Sequence, residues 1–163
     1  MKEHIDFNQI YNTYAQKVFR LCLGYASGDV DLAKEWQQET FIKIWQHQDT
    51  FNAKSSISTW IYRIAVNICL SDLRKPKKLV HDSDLSQTED ESVDNTNEKD
   101  LQIQSMYRCI DKLTPMNKAI ILLELEGVPQ AIIAEIQGIG HGALRTRLNR
   151  IRTSLLKCIT NEK

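Results

Sequence analysis

The feature that most constrains the fold is an acidic segment in the middle of the chain. Residues 81–106 contain eight acidic residues and one basic residue. In "HDSDLSQTEDESVDNTNEKD" (81–100), the large apolar residues are Leu85 and Val93. Such a composition cannot bury enough surface to offset the entropy lost on ordering. We therefore predict a flexible linker over 81–103, with an exposed acidic loop inside one domain as the alternative.

Both parts that flank this linker are basic. Residues 1–80 carry 11 basic and 8 acidic residues, and residues 107–163 carry 9 and 5. The 163-residue chain as a whole carries 21 of each, so its net charge of zero hides two basic regions. Clustered positive charge is typical of proteins that contact a polyanion. The apolar content of 42% suffices for cores, although each domain would be small.

Apolar residues recur at helical spacing on both sides of the linker, and no alternating strand pattern is present. The first part predicts a helix over about residues 5–26, a second after an Asp29 N-cap, and a third from "KSS" to Pro76. After the linker, "LQIQSMYRCIDKL" predicts a helix, which is followed by a helix capped by Thr114, a short helix, a glycine turn and a last helix. The spacing at the end is that of a helix-turn-helix. The predicted fold is all-α, with a three-to-four-helix domain over 1–80 and a helix-turn-helix domain over 104–163.

The last helix carries the strongest functional signal. "GIGHGALRTRLNRIRTSLL" (138–156) contains four arginines and no acidic residue. Its apolar residues fall within about 60° of one another and predict a buried stripe; they are Leu144, Leu148, Ile151 and Leu155. The opposite arc presents arginine, threonine and asparagine, which suit base edges in a major groove. We predict a DNA-binding helix, the alternative being a solvated basic helix.

A second basic site ends the third helix, in "DLRKPKK". Trp60, Arg63 and Asn67 share one face upstream of it. An aromatic ring, a cation and an amide together suit contact with DNA, including unpaired bases. Core packing of Trp60 is the alternative, and partial burial of its ring is expected in either case.

Cysteine and histidine usage argues against metal and disulfide chemistry. The four cysteines, at positions 22, 69, 109 and 158, are far apart and form no C-x-x-C pair. We predict small buried thiols rather than disulfides or zinc ligands. No catalytic constellation, cofactor motif or small-molecule site is evident, so we expect no enzyme activity. No apolar run approaches the roughly 20 residues of a membrane span, and no signal peptide is evident, so a cytoplasmic location is expected.

Two segments resemble one known family. "AKEWQQETFIKIW" (33–45) and "STWIYRIAVNICLSDLRK" (58–75) resemble the second conserved domain of extracytoplasmic-function RNA polymerase sigma factors, group 4 of the sigma-seventy family. "LTPMNKAIILLELEGVPQAIIAEIQGIGHGALRTRLNRIRTSL" (113–155) resembles their fourth domain. The resemblance implies a factor that directs core RNA polymerase to promoters, recognises the −35 element as duplex and opens the −10 element.

The resemblance also implies site residues. Core polymerase binding falls on Glu35, Gln38, Glu39, Phe41, Ile42 and Trp45. Contact with the −10 element falls on Asn52, Lys54, Ser55, Ser56, Trp60, Arg63, Asn67, Arg74, Lys75 and Lys78. Contact with the −35 element falls on His141, Gly142, Ala143, Arg145, Thr146, Arg147, Asn149 and Arg150. The chain departs from the family pattern at Glu35 (usually Asp), Gly140 (usually Ser), Ala143 (usually Thr), Ile132 (commonly Glu) and Gln137 (commonly Leu).

The partners implied by the resemblance are the β′ and β subunits of core polymerase, promoter DNA and an anti-sigma factor, and the free chain is expected to be a monomer. Two other readings remain open. A conventional helix-turn-helix repressor or activator would bind duplex DNA without polymerase, usually at a two-fold operator. A helical adaptor that binds only protein would not need the arginines of the last helix.

Overall fold

The structure is a computed structural model that describes residues 5–75 and 98–161. Within these ranges the chain forms seven α-helices, one 3₁₀ turn (Gln48–Thr50) and no strand, which confirms the all-α prediction. The helices are α1 (Phe7–Tyr25), α2 (Val30–His47), α3 (Ile57–Arg74), α4 (Glu98–Asp111), α5 (Pro115–Leu125), α6 (Gln130–Gln137) and α7 (His141–Asn161). Most of the predicted linker, and Lys78, lie outside the described residues.

The helices begin where the sequence supplies capping side chains. The Asp29 carboxylate accepts a hydrogen bond from the Leu32 amide at 3.1 Å, and the Ser56 hydroxyl accepts one from the Thr59 amide at 3.2 Å. Thr114 caps α5, whose first residue is proline. These bonds satisfy amide groups that the first turn of a helix leaves without a partner. The predicted caps of α2 and α5 are therefore confirmed.

Helices α1, α2 and α3 pack around one apolar core. Leu21, Ile44 and Ile61 are fully buried, and Trp36 is 1% exposed. The Trp36 indole donates a hydrogen bond to an Asp72 carboxylate oxygen at 3.0 Å, which links α2 to α3. The unit formed by these three helices is called region 2 below.

Helices α4 to α7 form a second unit, here called region 4. The stripe predicted on α7 is buried as expected: Leu144 is 0%, Leu148 1%, Ile151 2% and Leu155 9% exposed. It packs against α4, α5 and α6. Burying this stripe fixes the rotation of α7 about its axis, so the arginine-bearing arc faces outward.

Regions 2 and 4 also contact each other, through α1 with α5 and α3 with α6. Gly24 of α1 lies so close to Leu122 of α5 that a Cβ atom at position 24 would overlap a Leu122 methyl group. At the rim of this contact, Arg20 Nε bonds Glu126 Oε2 at 2.8 Å, and the Ser27 hydroxyl donates to the Asp111 carboxylate. The two units therefore adopt a closed arrangement that the sequence did not indicate.

Two sequence predictions need correction. Residues 98–103, assigned to the linker, form the first turns of α4, where Glu98 and Asp100 interact favourably with the positive end of the helix. The prediction that all four cysteines are unpaired was wrong, because Cys109 and Cys158 form a disulfide. Packing of α4 on α7 brings the two together across 49 positions of sequence, a distance at which spacing carries no signal. Cys22 and Cys69 are buried thiols, as predicted.

Candidate polymerase and nucleic-acid interfaces

An exposed aromatic groove runs between α1 and α2. It has a volume of about 390 Å³ and is lined by Phe7, Tyr11, Gln37, Gln38, Phe41, Ile42, Trp45 and Gln46. The rings of Phe7 and Trp45 meet edge to face at 5.2 Å between centroids, and those of Tyr11 and Phe41 do so at 4.9 Å. Trp45 is nevertheless 58% exposed and Ile42 54%. Apolar side chains exposed to this extent are a common feature of surfaces that bind other proteins.

This groove brings together four of the six residues predicted for polymerase binding: Gln38, Phe41, Ile42 and Trp45. Glu35 is exposed outside the groove lining, and Glu39 lines a different cleft, between α2 and α3. Phe7 and Tyr11, which also line the groove, were not among the predicted residues. Their i, i+4 aromatic spacing was a usable signal, because such residues lie side by side on a helix.

The −10 residues predicted on α3 occupy one face. Arg63, Asn67 and Arg74 are exposed, whereas Trp60 is half-buried and packs on Phe51 with 5.2 Å between ring centroids. The partial burial predicted for Trp60 is confirmed, and the ring lies at the edge of the core. Asn67 and Lys75 line the cleft between α2 and α3, which has a volume of about 370 Å³.

The loop before α3 holds the other −10 residues. Asn52 and Lys54 are exposed, Ser55 is half-buried, and Ser56 is used as the cap of α3. The Asn52 side chain accepts a hydrogen bond from the Lys54 amide at 3.2 Å. Ala53 between them has φ 58°, a conformation that costs a non-glycine residue about 1–3 kcal/mol. The loop is thus held in an unfavourable conformation that presents Asn52 and Lys54 to solvent.

The face of α3 is partly covered by α6. Arg63 Nη2 donates to the main-chain carbonyl oxygen of Glu135 at 2.9 Å, and Thr59 Oγ1 donates to Glu135 Oε2 at 3.1 Å. Glu135 lies in the last turn of α6, where the helix dipole is negative. A carboxylate and a main-chain carbonyl at the C-terminus of α6 therefore occupy hydrogen-bond donors of Thr59 and Arg63.

The eight residues predicted on the −35 helix are all exposed on α7. Arg147 Nη1 bonds Asn117 Oδ1 at 3.3 Å, which holds one guanidinium beside the start of α5. Within the described ranges, no ion pair engages Arg145 or Arg150. Arg152 lies outside the predicted set and pairs with Glu124 at 2.7 Å. Nothing lies within 4 Å of a Cβ built at Gly140 or Gly142, so the start of α7 is open to a close ligand.

The two regions match two parts of one family. The profile of Sigma-70 region 2 matches residues 10–79, and that of Sigma-70 region 4 matches residues 103–155. The ECF RNA polymerase sigma-E factor of Escherichia coli K12 is 32% identical over 163 residues, which cover 91% of this chain and 84% of that protein. The chain belongs to the ECF RNA polymerase sigma factors. It directs core RNA polymerase to promoters, with regions 2 and 4 recognising and opening promoter DNA.

A second relative and two solved structures are also similar to this sigma factor. ECF RNA polymerase sigma factor SigW of Bacillus subtilis is 29% identical over 164 residues, which cover 93% of this chain and 87% of that protein. Among solved structures, RpoE of Bartonella quintana in complex with the anti-sigma factor NepR has a TM-score of 0.69 and 22% identity, covering 97% of this chain and 99% of that chain. CnrH in complex with the cytosolic domain of CnrY has a TM-score of 0.70 and 16% identity, covering 96% and 89%. Both structures share the fold.

None of the helices in residues 5–75 and 98–161 is long and apolar enough to cross a bilayer.

Proposed function

We propose that this sigma factor divides promoter initiation among three of its surfaces. The aromatic groove of α1 and α2 binds core polymerase, the exposed face of α3 with its preceding loop binds the −10 element, and the outward arc of α7 reads the −35 element. The observation that carries the proposal is the rotation of α7. Burial of its leucine and isoleucine stripe leaves the eight predicted −35 residues on the exposed side.

The groove suits an apolar protein partner. Trp45 and Ile42 expose more than half of their side-chain surface, and Phe7 and Tyr11 extend the apolar surface onto α1. Aromatic residues of this kind are enriched among the residues that dominate binding energies. The family resemblance implies a coiled coil of the largest polymerase subunit as the partner, and a helix laid along a groove is a common mode of recognition.

The α3 face suits separated DNA strands. Trp60 and Phe51 offer ring surface beside Arg63 and Asn67, and the loop residues Asn52 and Lys54 are exposed nearby in sequence. Stacking a base on an aromatic side chain contributes about 1–3 kcal/mol. That gain is of the same size as the few kcal/mol that unstacking a base costs, so binding itself supports strand opening.

The −35 surface suits a duplex. Arg145 and Arg150 can reach guanine edges or phosphates, and Asn149 can pair with adenine. The amides at the start of α7, where Gly140 and Gly142 leave open space, favour a phosphate. The chain performs no chemistry on the DNA in this proposal, because the polymerase carries out synthesis.

The proposed location is the cytoplasm, where bacterial transcription takes place. An anti-sigma factor is a further proposed partner, supported by the two structural neighbours, which are complexes with the anti-sigma factor NepR and with the cytosolic domain of CnrY. Such a protein would compete for the same surfaces.

Run-off transcription tests the assignment of the three surfaces. Core polymerase with this chain, on fragmented genomic DNA from the source cell, should give new 5′ ends that share paired upstream elements. Replacing Arg145 by Ala should lower their yield about tenfold, because a lost bidentate base contact costs about 1–3 kcal/mol. Binding to core polymerase, measured by gel filtration, should not change.

Lys157→Ala is the matched control, because it removes one positive charge from the same helix outside the recognition arc. Equal losses for the two variants would show that α7 acts only through its net charge. If the chain gave no new starts but bound duplex fragments without polymerase, a repressor or activator would be the better interpretation.

A further inference from the structure

The four cysteines form two pairs, each joining two helices of one region. Cys109 of α4 is bonded to Cys158 of α7, with 5.9 Å between their Cα atoms. Cys22 of α1 and Cys69 of α3 remain thiols, with 3.7 Å between their sulfur atoms. Both of these thiols are 0% exposed, so neither can meet a dissolved reagent in the folded protein.

The bonded pair differs from the thiol pair in access. Cys109 is 2% exposed, whereas Cys158 is partly exposed. Lys112 Nζ lies 4.0 Å from the Cys158 sulfur, and the Lys112 amide bonds the Cys109 carbonyl at 3.2 Å. Lys112 is thus anchored by its backbone on the turn that follows Cys109, and its ammonium group lies beside Cys158. A nearby cation stabilises the thiolate, which is the reactive form of cysteine.

The bond also lies where it can affect both DNA binding and domain contact. Its α7 end is at the C-terminal part of the helix whose N-terminal half carries the −35 residues. Its α4 end is close to Asp111, which accepts hydrogen bonds from Ser27 of region 2 and from Lys118 of α5 at 2.8 Å. Tyr107 of α4 lies against Gly28. The bond therefore joins the helix that reads DNA to the helix that contacts region 2.

We propose that Cys109 and Cys158 form a reversible thiol–disulfide site that reacts with a small-molecule disulfide such as oxidised glutathione. Formation of the bond increases the stability of region 4 and its affinity for the −35 element. The effect on this affinity rests on the proposed role of α7. Disulfides in a reducing cytoplasm are usually transient or redox-sensing. The dithiol is accordingly the resting state there, and the bond forms under oxidation.

The reaction is a two-step exchange. The Cys158 thiolate attacks one sulfur of oxidised glutathione, forming a mixed disulfide and releasing one glutathione thiolate. The Cys109 sulfur, after losing its proton to water, attacks the Cys158 sulfur and releases the second glutathione thiolate. Two cysteine thiols are oxidised by two electrons in all, and one glutathione disulfide is reduced to two thiols. Reduced glutathione in excess reverses both steps.

The bond should stabilise region 4 because it closes a long loop in a small domain. Cross-linking residues 49 positions apart removes many conformations from the unfolded chain. Region 4 comprises four helices with a correspondingly small core, so it depends more on such a constraint than a large domain would.

The test uses the full chain equilibrated in glutathione buffers of different oxidised-to-reduced ratio. Alkylation followed by peptide mass spectrometry should find Cys109 and Cys158 protected in the oxidised buffer and modified, after unfolding, in the reduced one. The thermal midpoint of region 4 should be about 10 °C or more lower in the reduced buffer. Run-off transcription with core polymerase should give a lower yield from the reduced chain.

Two variants separate this site from the other cysteines. The double variant Cys22→Ala and Cys69→Ala keeps the bonded pair and should keep the full redox response. The double variant Cys109→Ala and Cys158→Ala should have the same thermal midpoint in the oxidised and the reduced buffer. A response that disappears in the first variant, or persists in the second, would overturn the assignment.

Other outcomes are equally decisive. Alkylation of Cys109 and Cys158 in the oxidised buffer would exclude the bond, and resistance of the bond to reduced glutathione would make it permanent rather than reversible. Equal transcript yields from the two forms, with a clear shift in melting, would overturn control of the −35 element. If neither form gave transcripts, the proposed functions of the three surfaces would be contradicted. The alkylation and melting measurements would still test the thiol site, because they do not depend on transcription.

Discussion

The Tyr25 ring stabilises the fold by packing, whereas its hydroxyl forms no hydrogen bond within the described ranges. Tyr25 is 1% exposed. The Lys118 ammonium lies 5.4 Å from the centre of its ring, across the contact between α1 and α5. Burial raises the pKa of Tyr25 above its ordinary range, and burial with the nearby Tyr14 raises that of Tyr62 to about 12. Deprotonation of either hydroxyl is therefore less favourable than in an exposed tyrosine.

Replacing Tyr25 by Phe should raise the free energy of unfolding by about 1 kcal/mol. The change removes a buried polar group without a partner and keeps the ring that packs and faces Lys118. Urea denaturation followed by circular dichroism measures the effect. Tyr11→Phe is the control, because its side chain is 46% exposed and should change stability little. A destabilised Tyr25→Phe protein would mean that the hydroxyl has a partner.

At this scale, helical periodicity predicted the exposed and buried residues of α7 but not the aromatic groove. The exposure of the eight residues that the resemblance assigns to the −35 element follows from a stripe of four buried apolar positions. Phe7 and Tyr11 were missed because an apolar side chain on a helix is expected in the core by default. Only the packing of α1 on α2 shows that their rings line an open groove.

Among the elements, the turn between α6 and α7 depends on a backbone conformation. Gly138 ends α6 with φ 68°, and its amide bonds the Glu135 carbonyl at 3.2 Å. Glycine adopts this left-handed region at no steric cost, whereas alanine does not. Gly142 lies in the first turn of α7 without a positive φ. Neither glycine has an atom within 4 Å of its would-be Cβ.

Alanine substitutions at these two glycines should therefore have opposite effects on stability. Gly138→Ala should lower the free energy of unfolding by about 1 kcal/mol, because its φ is unfavourable for alanine. Gly142→Ala should raise it by up to about 1 kcal/mol, because alanine is the better helix former. Chemical denaturation of the two full-length variants gives both values. Changes of the same sign would show that space around the residues, not φ, determines the outcome.

The sequence predicted elements well where a local signal marks their ends. Asp29, Thr114 and Gly138 each mark a helix terminus through chemistry that acts within a few residues. The start of α4 was misplaced because Glu98 and Asp100 count as linker residues by composition, although acidic residues favour the first turn of a helix.

The arrangement of the whole molecule depends on contacts that no local pattern contains. Gly24 meets Leu122, and Arg63 meets Glu135 at a separation of 72 positions in the sequence. In the closed arrangement α6 engages Thr59 and Arg63, on the face of α3 predicted to contact the −10 element, so we expect the free factor to bind DNA weakly there.

Two ion pairs of similar geometry allow this closed arrangement to be tested. Arg20 and Glu126 join region 2 to region 4 at 2.8 Å, whereas Arg152 and Glu124 lie within region 4 at 2.7 Å. The two arginine side chains are equally exposed, at 51%. Exposed ion pairs contribute about 0–1 kcal/mol. Reversing one charge of the Arg20–Glu126 pair should therefore shift the equilibrium constant between the closed and open forms by a factor of about five, towards the open form.

Arg20→Glu should therefore open the molecule, seen as lower energy transfer between one dye on region 2 and one on region 4. Its affinity for a single-stranded DNA oligonucleotide, measured without polymerase, should rise by up to the same factor, because affinity scales with the fraction of chains whose −10 face is free. Arg152→Glu makes the same change in charge and should do neither. Adding Glu126→Arg to Arg20→Glu should close the molecule again. If energy transfer fell equally in both single variants, or if opening left DNA affinity unchanged, contact with α6 would not be what limits access to the −10 face.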